Sequence, residues 1–329
     1  MAFSNADRGA RRRAAVALGA LLAAALPWLI GSYHLHLLIM AAIFAILAAS
    51  LGLVIGYAGL LSLGHTAFFG IGAYTSALLF LKFGVSMWWG MLAAAALSSL
   101  MAFLLGALIL RVRGNRFVIV TVAFAEIMRL IAHNWVELTR GQMGLPGILP
   151  PRIDFLGLDF NSKPAFYYVA LLIAGMSVWA LSRIARSPLG WGFTALRENE
   201  ALGESVGVSA YRHAMTVFVI GAFFAGIAGS LYAHYINFIG PDLFYFSYTT
   251  IMLVRVVMGG LGTIIGPVVG ALVFTLLPEY LRVASEYRLV FFGAILIVGI
   301  LFVPRGLVEL WERAARWFAP RPPAPQARR

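Results

Sequence analysis

The sequence contains no cysteine, which excludes disulfide frameworks, thiolate metal sites and cysteine nucleophiles. Charge is also scarce, because 12% of the 329 residues are charged and 61% are apolar. An ordinary soluble domain has about 25% charged and about 45–50% apolar residues. So few charges cannot coat the surface of a soluble protein of this length, so the apolar excess must face lipid. The sequence therefore predicts an integral membrane protein.

Motifs for catalysis are missing as well. The chain has no Gly-x-x-x-x-Gly-Lys-Ser/Thr phosphate-binding loop. It also has no cluster of metal ligands, and no nucleophile with a base and an orienting group at a recognisable spacing. We therefore expect that the chain is not an enzyme and binds no metal or cofactor of its own.

Long apolar stretches predict an all-α protein with about ten transmembrane helices. A helix needs about 20 residues to cross about 30 Å of hydrocarbon. Eight stretches meet this length, and a ninth, 248–280, is long enough for two spans separated by Gly259, Gly260 and Gly262. The eight are 14–31, 34–55, 60–81, 87–110, 117–134, 165–182, 214–238 and 287–304.

The distribution of positive charge predicts the orientation of these spans. In a soluble protein the net charge of +12 would suggest a nucleic-acid partner. Here, an even number of spans with both termini in the cytoplasm places 17 of the 25 basic residues on the cytoplasmic side, as the positive-inside rule requires. The predicted parts are a basic amino terminus (1–13), a transmembrane domain (14–304) and a basic tail (305–329). Lipid, and not nucleic acid, is the expected surrounding.

A cleavable signal peptide is the competing interpretation of the amino terminus, because Arg11, Arg12 and Arg13 precede an apolar run. That run is near the upper length for a signal peptide. Its removal would also place the two termini on opposite sides of the membrane. A retained first span is therefore preferred.

Two hydrophilic segments interrupt the apolar pattern. Segment 135–164 contains several prolines and glycines and is predicted to be an external loop. Segment 184–213 is cytoplasmic, and Ser187 before Pro188 predicts the start of a short helix that Gly207 ends. A solvated connector is the simpler interpretation, but about 30 residues far exceed the usual two to eight. The mixture of apolar and charged residues favours docking to a soluble partner.

Charged and polar residues within the spans are the other candidates for function. Glu126 and Arg129 lie three residues apart on one helix face, where they either face a translocation path or form an ion pair between helices. Arg255 has no partner on its own helix, which predicts that it faces a cavity, a subunit interface or an acidic group of another span. His65 could bind substrate or protons, but a hydrogen-bonded packing role is favoured because no second metal ligand is near.

Glycine spacing predicts close helix packing. Gly262, Gly266 and Gly270 recur every four residues and are predicted to form one stripe on a helix. Gly229 repeats this spacing with Ala225, beside Gly226. The glycines of 56–72 are too dense for one regular helix, which predicts irregular backbone near the cytoplasmic side.

Several of these segments together resemble one transporter family. They are GYAGLLSLGHTAFFGIGAY at 56–74, FVIVTVAFAEIMR at 117–129, LRENEAL at 196–202 with Gly207 downstream, AGIAGSL at 225–231, GGLGTIIGPVVGA at 259–271 and PRGL at 304–307. In this order, over residues 30–308, the chain resembles the M-type permease subunits of branched-chain amino-acid ABC importers. Arg255 stands where that family has an apolar residue.

The resemblance implies a permease subunit in the inner membrane of a bacterial cell, carrying branched-chain amino acids delivered by an external binding protein. It implies a second homologous permease subunit and two cytoplasmic ATPase subunits, which would hold ATP and Mg. The residues implied to couple the chain to the ATPases are Arg197, Glu198, Asn199, Glu200 and Gly207. Permeases for urea, short amides or other amino acids remain alternatives, as does an ion-coupled secondary transporter that uses Glu126 as a relay.

Overall fold

The structure, a computed structural model, describes residues 26–28, 30–110, 114–153, 158–281, 293–294, 297, 301 and 306–308. In this part of the chain the principal elements are helices, as an all-α membrane protein requires. They are α1 (Ser32–Gly52), α2 (His65–Phe83), α3 (Met87–Ile109), α4 (Asn115–Asn134), α5 (Val136–Thr139), α6 (Lys163–Ala185), α7 (Pro188–Glu198), α8 (Glu200–Ser205), α9 (Ala210–Ile236), α10 (Phe246–Gly259) and α11 (Ile265–Tyr280).

Short elements fill the connections. A π-helical turn, Leu53–Tyr57, extends α1, and 3₁₀ turns occupy Gly141–Met143 and Pro241–Phe244. Strands β1 (Leu145–Pro146) and β4 (Phe238–Ile239) pair antiparallel, as do β2 (Arg152–Ile153) and β3 (Leu158–Asp159). The described residues of segment 135–164 therefore form short elements and not a continuous helix, as its prolines predict.

Six of these helices are long and apolar enough to cross a membrane: α1 with its π-helical turn, α2, α3, α4, α6 and α9. Each coincides with a predicted span to within a few residues, except that α2 begins at His65 and not at residue 60. The predicted spans at 14–31 and 287–304 lie almost wholly outside the described residues, as do both termini. The predicted count of ten spans stays a prediction.

Residues 248–280, predicted as two spans, form two shorter helices. The 14 residues of α10 and the 16 of α11 reach about 21 and about 24 Å, which is less than the hydrocarbon thickness of about 30 Å. The helices run antiparallel, because Gly270 packs on the carbonyl of Arg255 and Gly259 on that of Gly266. The turn between them, residues 260–264, contains Gly262 with φ of +91°.

The prediction that Gly262 continues a helical stripe with Gly266 and Gly270 is therefore wrong. Its left-handed backbone forms the turn, and α11 begins three residues later at Ile265. The spacing of four residues did not reveal this, since glycine suits both a helix contact and a turn.

The core forms where α9 packs against α2 and α3. Small residues allow the backbones to approach closely. Gly226 lies against the Ala94 carbonyl and Ser98, and Gly229 lies against the Phe69 carbonyl. These contacts place the predicted packing glycines of α9 at the centre of the bundle.

The helix ends form two faces. At the first, here called the basic face, the end of α1, segment 184–213 and the turn 260–264 come together. At the second, the distal face, the start of α1 meets the end of α9, where His36 Nδ1 is hydrogen-bonded to the Tyr235 hydroxyl at 2.7 Å. The charge pattern of the sequence predicts that the basic face is cytoplasmic.

Candidate functional site

An ion pair lies on the outward face of α4. Arg129 Nε donates to both carboxylate oxygens of Glu126, at 3.0 and 2.9 Å, and Arg129 Nη2 donates to Oε1 at 2.5 Å. The side chain of Glu126 is 52% exposed. Glu126 is 11 residues after the start of α4, about 16 Å along the helix axis, so the pair lies near the middle of the span.

The rest of α4 is also open. Only 22% of its apolar stretch is buried, against 78% for α1. Apolar side chains beside the pair, including Ile119, Ile127 and Leu130, are exposed. In the membrane this face of α4 must therefore contact either lipid or a partner protein. The charged pair within the face is unfavourable in lipid.

The half-length helix α10 begins beside this ion pair. The Arg129 guanidinium lies 5.5 Å from the ring centroid of Tyr245, the residue before α10. Phe244, the residue before Tyr245, lies directly over Gly70. Its ring stacks on that of Tyr74 in the middle of α2. A helix amino terminus carries partial positive charge, so Arg129 and the start of α10 both place positive charge beside the Glu126 carboxylate.

On the basic face, segment 184–213 forms two helices. Ser187 and Pro188 start α7 where the sequence predicts. The run predicted as one helix is broken at Asn199, whose side chain accepts a hydrogen bond of 3.1 Å from Leu202 N and so caps α8. Gly207, with φ of +89°, follows the end of α8.

The two helices present both apolar and charged groups to solvent. Leu202 and Val206 are 65% and 72% exposed, and Trp191 projects from the first turns of α7. Glu198 and Glu204 are exposed around them. Such a surface, with apolar contacts and charges that fix orientation, is suited to a soluble partner.

Arg197 is also exposed, but its guanidinium is directed toward the end of α1. Its Nη1 donates to the carbonyl of Gly56 at the end of α1. Its Nε and Nη2 donate to Glu198 Oε1, at 3.2 and 2.5 Å. Arg197, Glu200 and His213 also line a cavity of about 390 Å³ whose other walls are mostly apolar.

The remaining candidates, His65 and Arg255, are buried. His65 Nε2 is hydrogen-bonded to Ser50 Oγ at 2.9 Å, an arrangement that suits the packing role. The Arg255 guanidinium lies 4.1 Å from the centroid of the Phe44 ring, and Nη1 lies 3.6 Å from Met252 Sδ. Among the described residues, no ion pair to a carboxylate includes Arg255.

Sequence reasoning missed two features of the site. Tyr245 carried no signal, because a lone tyrosine in an apolar region is common. The buried contacts of His234, to Ser76 Oγ at 3.0 Å and the Leu149 carbonyl at 2.6 Å, join residues far apart in the chain. Within the described residues no group of three or more His, Asp or Glu side chains could hold a metal ion.

Comparisons with known proteins agree on one family. The family model described as "Branched-chain amino acid transport system / permease component" matches residues 33–300. The chain is similar to the high-affinity branched-chain amino acid transport system permease protein LivM of Escherichia coli strain K12. The two are 33% identical over 310 residues, which cover 88% of this chain and 73% of LivM.

Two further relatives are less similar. LivH of the same organism is 24% identical over 286 residues, which cover 80% of this chain and 91% of LivH. BraD of Pseudomonas aeruginosa is 26% identical over 282 residues, with the same coverage of 80% and 91%. No solved structure matches the chain. Because both the family model and the alignment with LivM extend over most of its length, the chain belongs to the permease components of branched-chain amino acid transport systems.

Proposed function

We propose that this chain is one of two permease subunits of an ATP-driven importer, and that branched-chain amino acids pass along the open face of α4. A second, homologous permease subunit faces α4 across this path. An external binding protein delivers the substrate at the distal face. Two ATPase subunits, which hold ATP and Mg, bind the basic face on the cytoplasmic side of a bacterial inner membrane.

The observation that carries this proposal is the exposed Glu126–Arg129 pair. A charged side chain in lipid at the centre of a span costs about 2.5–3.5 kcal/mol. Pairing offsets part of this cost, but half of the Glu126 side chain remains exposed. A subunit interface that holds water removes the penalty, so α4 is best placed against the partner permease and not against lipid.

The chemistry of the pair suits an amino acid in its zwitterionic form. The carboxylate of Glu126 attracts an ammonium group. Arg129 and the amino terminus of α10 attract a carboxylate. Exposed Ile119, Ile127 and Leu130 offer apolar contacts for an aliphatic side chain. These groups lie on one side of α4, so a solute that moves along the helix can contact them one after another.

Glu126→Leu is expected to reduce uptake at least about tenfold, because it leaves Arg129 without its partner in the span. The charge-swapped double variant Glu126→Arg with Arg129→Glu separates the two roles of the pair. Because the swap restores an ion pair, we expect normal assembly of the complex. Because it also reverses the order of the two charges along the path, we expect uptake to remain low. Initial rates of labelled leucine uptake per assembled complex measure both effects.

Met176→Ala, an exposed position in the middle of α6, away from the proposed path and from both docking faces, serves as the control and should leave uptake unchanged. If the swapped variant imports at the wild-type rate, the pair is structural and the path does not follow this face of α4.

The substrate is tested by deleting the gene and restoring it in the same cells. We expect deletion to abolish high-affinity leucine uptake and the restored gene to recover it. Unlabelled isoleucine and valine should compete with leucine, whereas urea and short amides should not. Competition by urea or amides alone would reassign the substrate, and leucine uptake that does not depend on the gene would contradict the proposal.

A further inference from the structure

Three separate segments meet around the side chain of Arg197. They are the end of α1 at Gly56, the non-helical segment 58–64 that leads into α2, and the turn 260–264 that joins α10 to α11. Arg197 itself belongs to α7, on the predicted cytoplasmic surface. The Arg197 side chain thus contacts the end of α1 and the segment 58–64, and it lies beside the turn that joins the two half-length helices.

The contact with α1 satisfies a helix end. Gly56 is in the last turn of the helical run that ends at Tyr57, where carbonyl groups lack partners within the helix. The guanidinium donates to this carbonyl, and its positive charge is favourable at a helix carboxyl terminus. Arg197 therefore caps α1 from another element.

Glycines provide the space for the side chain. Gly59 has φ of +69°, and a Cβ there would lie 2.8 Å from Arg197 Cγ. Gly262 has φ of +91°, and its Cβ would lie 4.0 Å from Arg197 Nη1. A Cβ on Gly56 would approach Gly262 N to 2.9 Å, so the end of α1 and the turn are also in direct contact.

The turn is in contact with the chain near its carboxyl end as well. Gly306, with φ of +82°, packs directly on the backbone of Gly259 and Gly260. The turn is therefore held by backbone contacts on several sides, and a displacement of Arg197 acts on a rigid junction. Next to this junction, the cavity of about 390 Å³ leaves α7 room to move relative to the start of α4.

Glu198 fixes the direction of the guanidinium. It accepts two hydrogen bonds from Arg197, while its own side chain is exposed on the surface that we assign to the ATPase subunits. An ATPase subunit that contacts Glu198 therefore acts on the Arg197 guanidinium, which binds the Gly56 carbonyl.

We propose that Arg197 is the positioning residue that transmits movement of the cytoplasmic helices α7 and α8 to α1 and to the α10–α11 turn. This inference rests on the proposed function, since it presupposes ATPase subunits that move α7. Movement of α7 then displaces α10 and α11 at the turn that joins them. The opposite end of α10 begins beside Arg129.

The first test measures import and ATP hydrolysis separately in the reconstituted complex. We expect Arg197→Ala to assemble but to import at least about tenfold fewer leucine molecules per ATP hydrolysed, the effect of one hydrogen bond to a charged group. Arg197→Lys keeps one charged donor and should recover most of this ratio. Gly59→Ala, which crowds the Arg197 side chain and strains the loop, should lower the ratio without removing any charge.

Arg183→Ala is the matched control, because Arg183 is an exposed arginine in the last turn of α6, outside segment 184–213, and its guanidinium lies against the Trp179 ring of the same helix. If Arg197→Ala does not assemble, Arg197→Gln takes its place. An unchanged ratio in the Arg197 variant overturns the inference. A wild-type complex that imports no substrate counts against the proposed function instead.

The second test follows the movement directly and does not depend on the substrate. Because the chain has no cysteine, spin labels can be placed at Leu189→Cys in α7 and Leu261→Cys in the turn, both exposed positions. The partner subunits must carry no labelled cysteine. With Arg197 present, the distance between the labels should stay the same when ATP binds, since the two sites move together. In Arg197→Ala it should change and broaden, and identical distances in both proteins would contradict the inference.

Discussion

Gly229→Leu is expected to prevent the chain from folding into the membrane. Gly229 of α9 lies directly against the Phe69 carbonyl of α2, and a Cβ would also approach Ala73 N to 2.8 Å. Both obstacles are backbone atoms of the neighbouring helix and cannot rotate away. Overpacking a core costs about 1–3 kcal/mol when side chains can adjust, and a backbone contact at the centre of the bundle should cost more.

The yield of monodisperse protein after extraction in detergent measures this effect. Gly175→Leu is the control, because Gly175 lies on an open face of α6 with no atom within 4 Å of its Cβ. We expect near-normal yield from the control and almost none from Gly229→Leu. Equal yields would mean that α2 and α9 do not pack as described.

Leu202→Asp combined with Val206→Asp is expected to release the ATPase subunits. Both side chains are largely exposed on the basic face, where they offer apolar contact area, and the burial of apolar surface favours association. Charged groups in their place would be desolvated without partners. We expect at least about tenfold weaker binding, which corresponds to about 1.4 kcal/mol.

Titration of purified ATPase subunits onto the permease complex in nanodiscs measures this affinity. The matched control places the same two charges on the distal face, as Val136→Asp with Met143→Asp, both exposed positions. Unaltered ATPase binding by the Leu202 and Val206 variant would show that the subunits dock elsewhere.

The six described helices that are long enough to span a membrane could be predicted from the sequence, because crossing a bilayer imposes a minimum length of apolar chain. The limits of α3 and α6 follow closely from the lengths of their apolar runs. Irregular backbone was predicted for the glycines of 56–72, and this is correct only in part. The structure is non-helical at 58–64, but Gly70 and Gly72 lie within the regular helix α2, where they pack closely against Phe244 and Gly226.

The half-length helices could not be predicted in this way. Residues 248–280 are apolar throughout, and hydropathy does not distinguish two short antiparallel helices from two spans. What decides between them is the left-handed turn at Gly262 and the backbone contact of Gly270 with Arg255. Both depend on tertiary packing.

The candidate site could likewise be predicted only in part. The spacing of Glu126 and Arg129 predicts an ion pair, and the pair is present. Whether it faces inward or outward depends on how α4 packs, which no pattern within one helix specifies. Likewise, the resemblance assigned Arg197 to coupling, but its contact with Gly56 joins residues 141 positions apart and required the structure.

The central claim, that this chain forms a passive path moved by ATPase subunits, is tested most directly in sealed proteoliposomes. The complete complex of this chain, a second permease subunit, two ATPase subunits and the external binding protein is compared with this chain alone, using labelled leucine with and without ATP. The account predicts accumulation against the gradient only for the complete complex with ATP. Accumulation of leucine by this chain alone, without nucleotide, would contradict it.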